Sequence, residues 1–169
     1  MRSRPAFVIG LVLTLAVAAA IFWFSSCDAG QSNAQSEILS DSLAVRILTW
    51  FHLSPEQAER VYRFSVKLVR KTAHFAEFAA LGFALTLTCL GAGRAIRLSV
   101  GASFGAGTLY AITDEIHQIF VEGRACQARD VLIDACGVLT GVGLMLLLWI
   151  TVDAIIKRER SRNSKKHEI

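Results

Sequence analysis

The 169 residues contain no Cys-x-x-Cys pair and no Cys/His run at zinc-ligand spacing. That excludes the common structural zinc sites and the dithiol redox motif. Charge is also sparse, with Asp, Glu, Lys and Arg together at 19%. The net charge is +4, and Lys and Arg stand at the edges of apolar blocks. Their placement argues for membrane topology and against nucleic acid as a partner. The glycines include two pairs at four-residue spacing, Gly101 with Gly105 and Gly137 with Gly141, and neither pair implies phosphate binding. What the chain has instead is apolar sequence in blocks, at 53% of residues and a mean hydropathy of +0.46. That blockiness points to lipid as the solvent.

Four blocks are close to the ~20 residues needed to cross ~30 Å of hydrocarbon. They run from about Ala6 to Phe24, Ala73 to Leu90, Leu98 to Val121 and Val131 to Val152, with Trp149 near the last exit. The third lacks charge only as far as Thr113. The expected fold class is all-α, a polytopic membrane bundle of four transmembrane helices plus an external amphipathic segment. The expected divisions are an N-terminal span (1–24), an external loop with the amphipathic helix (25–72), a three-helix core (73–152) and a basic cytoplasmic tail (153–169).

Orientation is read from Lys and Arg. Arg2 and Arg4 precede the first span, Arg94 and Arg97 fill the connection between the second and third, and six cations from Lys157 to Lys166 crowd the tail. All three segments fall on one face, so both termini are expected in the cytoplasm. The first loop also holds Arg46, Arg60, Arg63, Lys67, Arg70 and Lys71, which oppose this bias. A rival reading starts from Phe24-Ser25-Ser26-Cys27, which approximates a lipoprotein cleavage box with Phe24 in place of the usual aliphatic residue. A retained first helix is preferred, serving as an anchor. Cys27 and Cys126 fall on one side of the membrane, and a disulfide between them stays open. Cys89 and Cys136 sit in apolar blocks and are expected to pack.

Within the loop, Ser54-Pro55-Glu56-Gln57 supplies an N-cap, a proline at the first helical position and a capping-box Gln. Val61, Phe64 and Leu68 then recur at helical spacing, opposite a basic face. This helix either lies on the outer membrane surface or caps the bundle. The preceding segment, Ile38 to Phe51, is also expected to be helical. Small residues at the spacing of the glycine pairs let helices approach closely.

The informative residues are the polar ones inside the apolar blocks. His74 and Glu77 share a face of the second helix, with Lys71 one turn before. Asp114 shares a face of the third with His117 and Gln118, and Glu115 lies beside it. Glu122 and Arg124 follow in the loop, and Asp130 and Asp134 stand one turn apart on the fourth helix. Topology puts all of them at the external end, with Asp114 about 10 Å inside if its helix ends near Val121. A charged side chain at such depth costs several kcal/mol unless paired or hydrated, which makes it a functional candidate. The bland reading is a structural network in which Asp130 caps a helix, Arg124 pairs with Glu122, and His74 bonds Glu77.

At these residues the sequence resembles the VanZ-like family of bacterial membrane proteins. The resemblance rests on Lys71-Thr72-Ala73-His74-Phe75-Ala76-Glu77-Phe78, on the segment from Asp114 through Gln118 and Phe120 to Gly123-Arg124, and on Asp130, Asp134 and Gly137. Phe24-Ser25-Ser26 also looks like the family's exit from the first helix. The chain departs from the pattern at Glu122, where the family commonly has Pro, and at Cys126 and Gln127, which replace small residues. The resemblance implies a bacterial cell-membrane protein, and teicoplanin resistance is the property for which the family is named.

Three functions fit. In the first, an outward-facing polar site binds a lipid headgroup, a cell-wall precursor or a lipoglycopeptide antibiotic. Its residues are Lys71, His74, Glu77, Asp114, Glu115, His117, Gln118, Arg124, Asp130 and Asp134, with Lys71 and Arg124 holding phosphate or carboxylate. In the second, the chain is an intramembrane enzyme on a lipid-linked envelope substrate. His74 or His117 is then the general base, and Asp114, Glu115 or Asp134 its orienting group or acid, with Glu77 a further candidate. A metal at His74, Glu77, Asp114 and His117 is a variant without the usual ligand spacing. The third is a structural or partner-binding bundle. Membrane lipids are the expected partners, no cofactor is implied, and the oligomeric state is open.

Overall fold

The computed structural model describes residues 3–27, 54–122, 124 and 126–166. Among them are four helices and no strand: α1 (Arg4–Ser25), α2 (Pro55–Gly91), α3 (Ile96–Gln118) and α4 (Ala128–Lys166). The chain is therefore an all-α bundle, as expected. The expected helix at 38–51 lies outside the described residues.

Local chemistry sets the helix ends. Ser3 accepts from the Ala6 N–H at 3.5 Å and opens α1, with Pro5 in the first turn. At the other end the Ser26 hydroxyl donates to the Phe22 carbonyl at 2.7 Å. The predicted capping box at Ser54 is present, with Gln57 bonding back to the Ser54 N–H at 3.0 Å. Past Gly91 the chain turns through Gly93, whose φ of 81° suits a residue without a Cβ. Nothing interrupts α2 between Ser54 and Ala92. The expected amphipathic helix and the second span are thus one rod of 37 residues, about 55 Å long. Likewise α4 runs 39 residues, about 58 Å, so the tail is helical through Lys166.

The helices alternate in direction. The Ser3 N–H donates to Gly91 O at 2.9 Å, placing the start of α1 at the end of α2. Lys71 pairs with Asp130, placing the start of α4 well inside α2. So α2 and α4 run parallel, and their contact is the most extensive in the bundle. Glycine makes it close. A Cβ on Gly137 would collide with the Phe75 carbonyl oxygen, and one on Gly141 with that of Ala79. The other pair behaves differently: a Cβ on Gly101 or Gly105 would meet nothing within 4 Å. Only the pair in α4 mediates close helix packing.

The buried core is Ile21, Phe78, Leu81, Ala111, Val138 and Val142. Around it the usual polarity is reversed. The buried residues of α3 are Ser99, Ser103, Gly107, Ala111, Asp114, Glu115 and Gln118, while Leu98, Leu109, Ile112 and Ile116 face outward. Water would not favour that arrangement and lipid does. By length and composition α1, α2 and α4 qualify to cross a membrane. The third expected span, α3, has 23 residues, about 34 Å. It is long enough, but its polar inner stripe makes it less apolar than the others. Phe64 and Leu68, the apolar face of the outer part of α2, are exposed among the described residues.

Candidate functional site

The polar residues collect at one end of the bundle, where α1 and α3 finish and α4 begins. The C-terminal turn of α1 delivers Ser25 into the interior. Its hydroxyl donates to Asp114 Oδ2 at 2.8 Å. The Gln118 amide, one turn on from Asp114, donates to the same oxygen at 3.0 Å and contacts Ser25 Oγ at 3.4 Å. All three residues are buried. Beside them Ser26 Oγ lies 3.2 Å from His117 Nε2, and Phe22 stacks on the His117 ring with centroids 4.8 Å apart. The first helix is therefore not merely an anchor, since it supplies two hydroxyls and an aromatic face to the polar cluster. The sequence signal was the pair of serines ending an apolar run.

A second group faces the gap between α2 and α4. Glu115, also buried, accepts the Gln127 backbone N–H at 2.9 Å, which ties α3 to the start of α4. Lys71 pairs with Asp130. One turn further along each helix are His74 and Asp134. The Nδ1 of His74 and both carboxylate oxygens of Asp134 are buried with no hydrogen-bond partner among the described residues. Asp134 is only 1% exposed. These groups line a cavity of about 300 Å³, whose outer wall adds Lys67, Arg70 and Arg129.

Six of the ten predicted site residues therefore share one cavity: Lys71, His74, Glu115, Gln118, Asp130 and Asp134. Four do not line it. Asp114 belongs to the hydrogen-bonded cluster with Ser25, and His117 to the stack with Phe22. Glu77 is half-buried on α2. Arg124 reaches the Phe24 carbonyl at 3.4 Å, while its Nε and second terminal nitrogen are buried without partners among the described residues. Burial, aided by the charge of Arg70, pushes its guanidinium below the ordinary range, and Asp114 opposes this. Two alternatives from the structural reading are not seen: Arg124 makes no ion pair with Glu122 among the described residues, and His74 Nδ1 makes no bond to Glu77; Asp130 lies in the first turn of α4 and also pairs with Lys71. Lys67, Arg70, Gln127 and Arg129 line the cavity without having been singled out as site residues.

No three His, Cys, Asp or Glu side chains among the described residues are grouped to hold a metal ion. All four cysteines are free thiols, so Cys27 and Cys126 are not joined.

The two groups differ in what they can do. Ser25, Asp114 and Gln118 largely satisfy one another across two helices, which is a structural arrangement. His74 and Asp134 line a cavity with a cationic wall and carry buried polar atoms without partners among the described residues, which is an arrangement that suits a polar ligand. No curated protein and no solved structure matches the chain. The family model described as VanZ/LLP1 matches residues 10–149, a range that takes in α2 from its start, α3, most of α1, the first part of α4 and every residue of both groups. The chain belongs to the VanZ/LLP1 family.

Proposed function

We propose that this VanZ/LLP1 protein is a multi-pass protein of the bacterial cell membrane whose cavity opens outward and binds the polar headgroup of an envelope amphiphile. The amphiphile is a membrane lipid, a lipid-linked cell-wall precursor or, as the family's name suggests, a lipoglycopeptide of the teicoplanin type. The observation that carries this reading is the buried, unpartnered Asp134 carboxylate beneath the cationic wall of the cavity. Such a group within an apolar bundle calls for a polar occupant.

In this reading all four helices span. The polar stripe of α3 faces its neighbours and its apolar residues face lipid, which makes α3 tolerable in hydrocarbon despite its composition. Arg94, Arg97, Lys157 and Arg158 lie at the opposite end from the cavity and mark the cytoplasmic side. The first helix is retained, because cleavage before Cys27 would remove Ser25 and Ser26 from the polar cluster.

The test uses the full chain purified in detergent with envelope lipid extract. Native mass spectrometry should find lipid retained by the wild type and lost from a Lys67→Glu, Arg70→Glu variant of unchanged thermal stability. Equal retention in both would refute the pocket. A second reading, acid/base catalysis, is favoured by the free His74 Nδ1 lining the same cavity as Asp134. A lipid product of altered mass, formed over repeated turnovers, would establish it.

A further inference from the structure

The charges that line the cavity are not mixed evenly. Lys67, Arg70 and Arg129 stand at its outer wall, and none is in an ion pair with an acid among the described residues. Lys71 is occupied by Asp130, and Glu115 already accepts from Gln127. One acid is left without a partner, and it lies inward. Asp134 is five residues beyond Arg129 on α4, about 7.5 Å along the axis. Four residues separate Arg70 from His74 on α2, about 6 Å inward in the same direction. The cavity is thus positive at its mouth, and at its inner end Asp134 is the one lining carboxylate among the described residues with neither an ion pair nor a hydrogen-bond donor.

A simple anion would satisfy the mouth and be repelled at the inner end. A neutral polyol would offer Asp134 hydrogen-bond donors but no opposite charge, and no anionic charge for the cations at the mouth. A carboxylate accepts hydrogen bonds and donates none, whereas a primary ammonium offers three donors and the opposite charge. Burying a carboxylate without a countercharge is strongly unfavourable, and Lys71, the adjacent cation, is engaged by Asp130. Resting on the headgroup-pocket reading above, we propose that the ligand is a zwitterion: a phosphate held by Lys67, Arg70 and Arg129, joined through a short arm to a primary ammonium held by Asp134. His74 lines the same cavity and contributes a further polar group toward the inner end.

This chemistry occurs in an ethanolamine phospholipid and also in free O-phosphoethanolamine. The experiment measures binding of three probes to the full-length protein in detergent: phosphatidylethanolamine, phosphatidylglycerol with matched acyl chains, and soluble O-phosphoethanolamine. Wild type should prefer phosphatidylethanolamine over phosphatidylglycerol by about tenfold or more, the scale of one charge-assisted contact. Asp134→Asn should lose that preference. Lys67→Ala with Arg70→Ala should weaken both lipids and leave the preference in place. The wild-type comparison needs no variant, so it decides the matter even if Asp134→Asn fails to fold. Equal binding of the two lipids, or tighter binding of phosphatidylglycerol, overturns the ammonium assignment while the headgroup pocket stands. A preference that survives in folded Asp134→Asn overturns it as well. Binding of O-phosphoethanolamine alone supports the zwitterion and rejects a lipid source. Binding of none of the three overturns both readings.

Discussion

Replacing Gly141 by Ala tests the closest helix contact in the protein. The added Cβ would collide with the Ala79 carbonyl oxygen and lie 2.7 Å from the Phe83 nitrogen and 2.8 Å from the Ala79 carbonyl carbon. These are backbone atoms of α2, so no side chain can rotate away, and the two helices must separate. Overpacking of this kind costs about 1–3 kcal/mol. Alanine recovers up to about 1 kcal/mol in helix propensity. The net expectation is a loss of about 1–2 kcal/mol, roughly a tenfold change in the unfolding constant. Gly101→Ala and Gly105→Ala provide the control, because the same Cβ would meet nothing within 4 Å there. Only propensity acts at those positions, so stability should stay level or rise by up to about 1 kcal/mol. Reversible unfolding in mixed micelles with increasing SDS, followed by circular dichroism, measures all three variants. If Gly141→Ala shifted no more than Gly101→Ala, the backbone contact between α2 and α4 would not be the source of stability argued above.

Three other outcomes are expected. Ser25→Ala removes the donor to Asp114 Oδ2 and should cost about 1 kcal/mol in the same titration, the scale of such bonds in membrane proteins; an unchanged midpoint would mean that the bond does not help hold α1 to α3. A double-mutant cycle of Lys71→Ala and Asp130→Ala should give a coupling of about 0.5–1 kcal/mol that shrinks in high salt, since Lys71 is partly exposed, and zero coupling at low salt would refute the pair. Cys126, an exposed free thiol at the cavity end of the bundle, should react with a membrane-impermeant maleimide in intact cells, whereas labelling only after permeabilisation would invert the proposed orientation.

Hydropathy located the helices well because outward-facing apolar residues dominate their composition. It could not distinguish the two glycine pairs. Their spacing is identical, but only Gly137 and Gly141 face a neighbour, and spacing says nothing of where the neighbour lies. Asp114 and Gln118 were legible as polar residues one turn apart in an apolar block. Their partner Ser25 was less so, because a serine at the end of an apolar run reads as an exit from the membrane. The anchor reading of α1 failed for that reason. Lys67 and Arg70 joined the cavity because α2 continues unbroken past residue 72, carrying their side chains over the start of α4. Hydropathy changes at that point and therefore reads as a boundary, although the backbone has none. The role of Gln127 was hidden for another reason: its contact to Glu115 is through the backbone N–H, which every residue but proline carries.

The two long parallel helices are staggered, and the stagger gives the molecule leverage. Beyond the Lys71 pair, α2 extends about 24 Å outward over residues 55–70, and α4 extends about as far past Ile150 at the other end. The cavity and the glycine contacts occupy the stretch where the two rods meet, and at Gly137 and Gly141 no side chain separates their backbones. That stretch is a fulcrum. A change of 5° in the crossing angle, set by what sits between Lys71, His74 and Asp134, would displace either tip by about 2 Å on an arm of this length. A change at the cavity too small to alter the core would in this way be registered at the free ends of both rods.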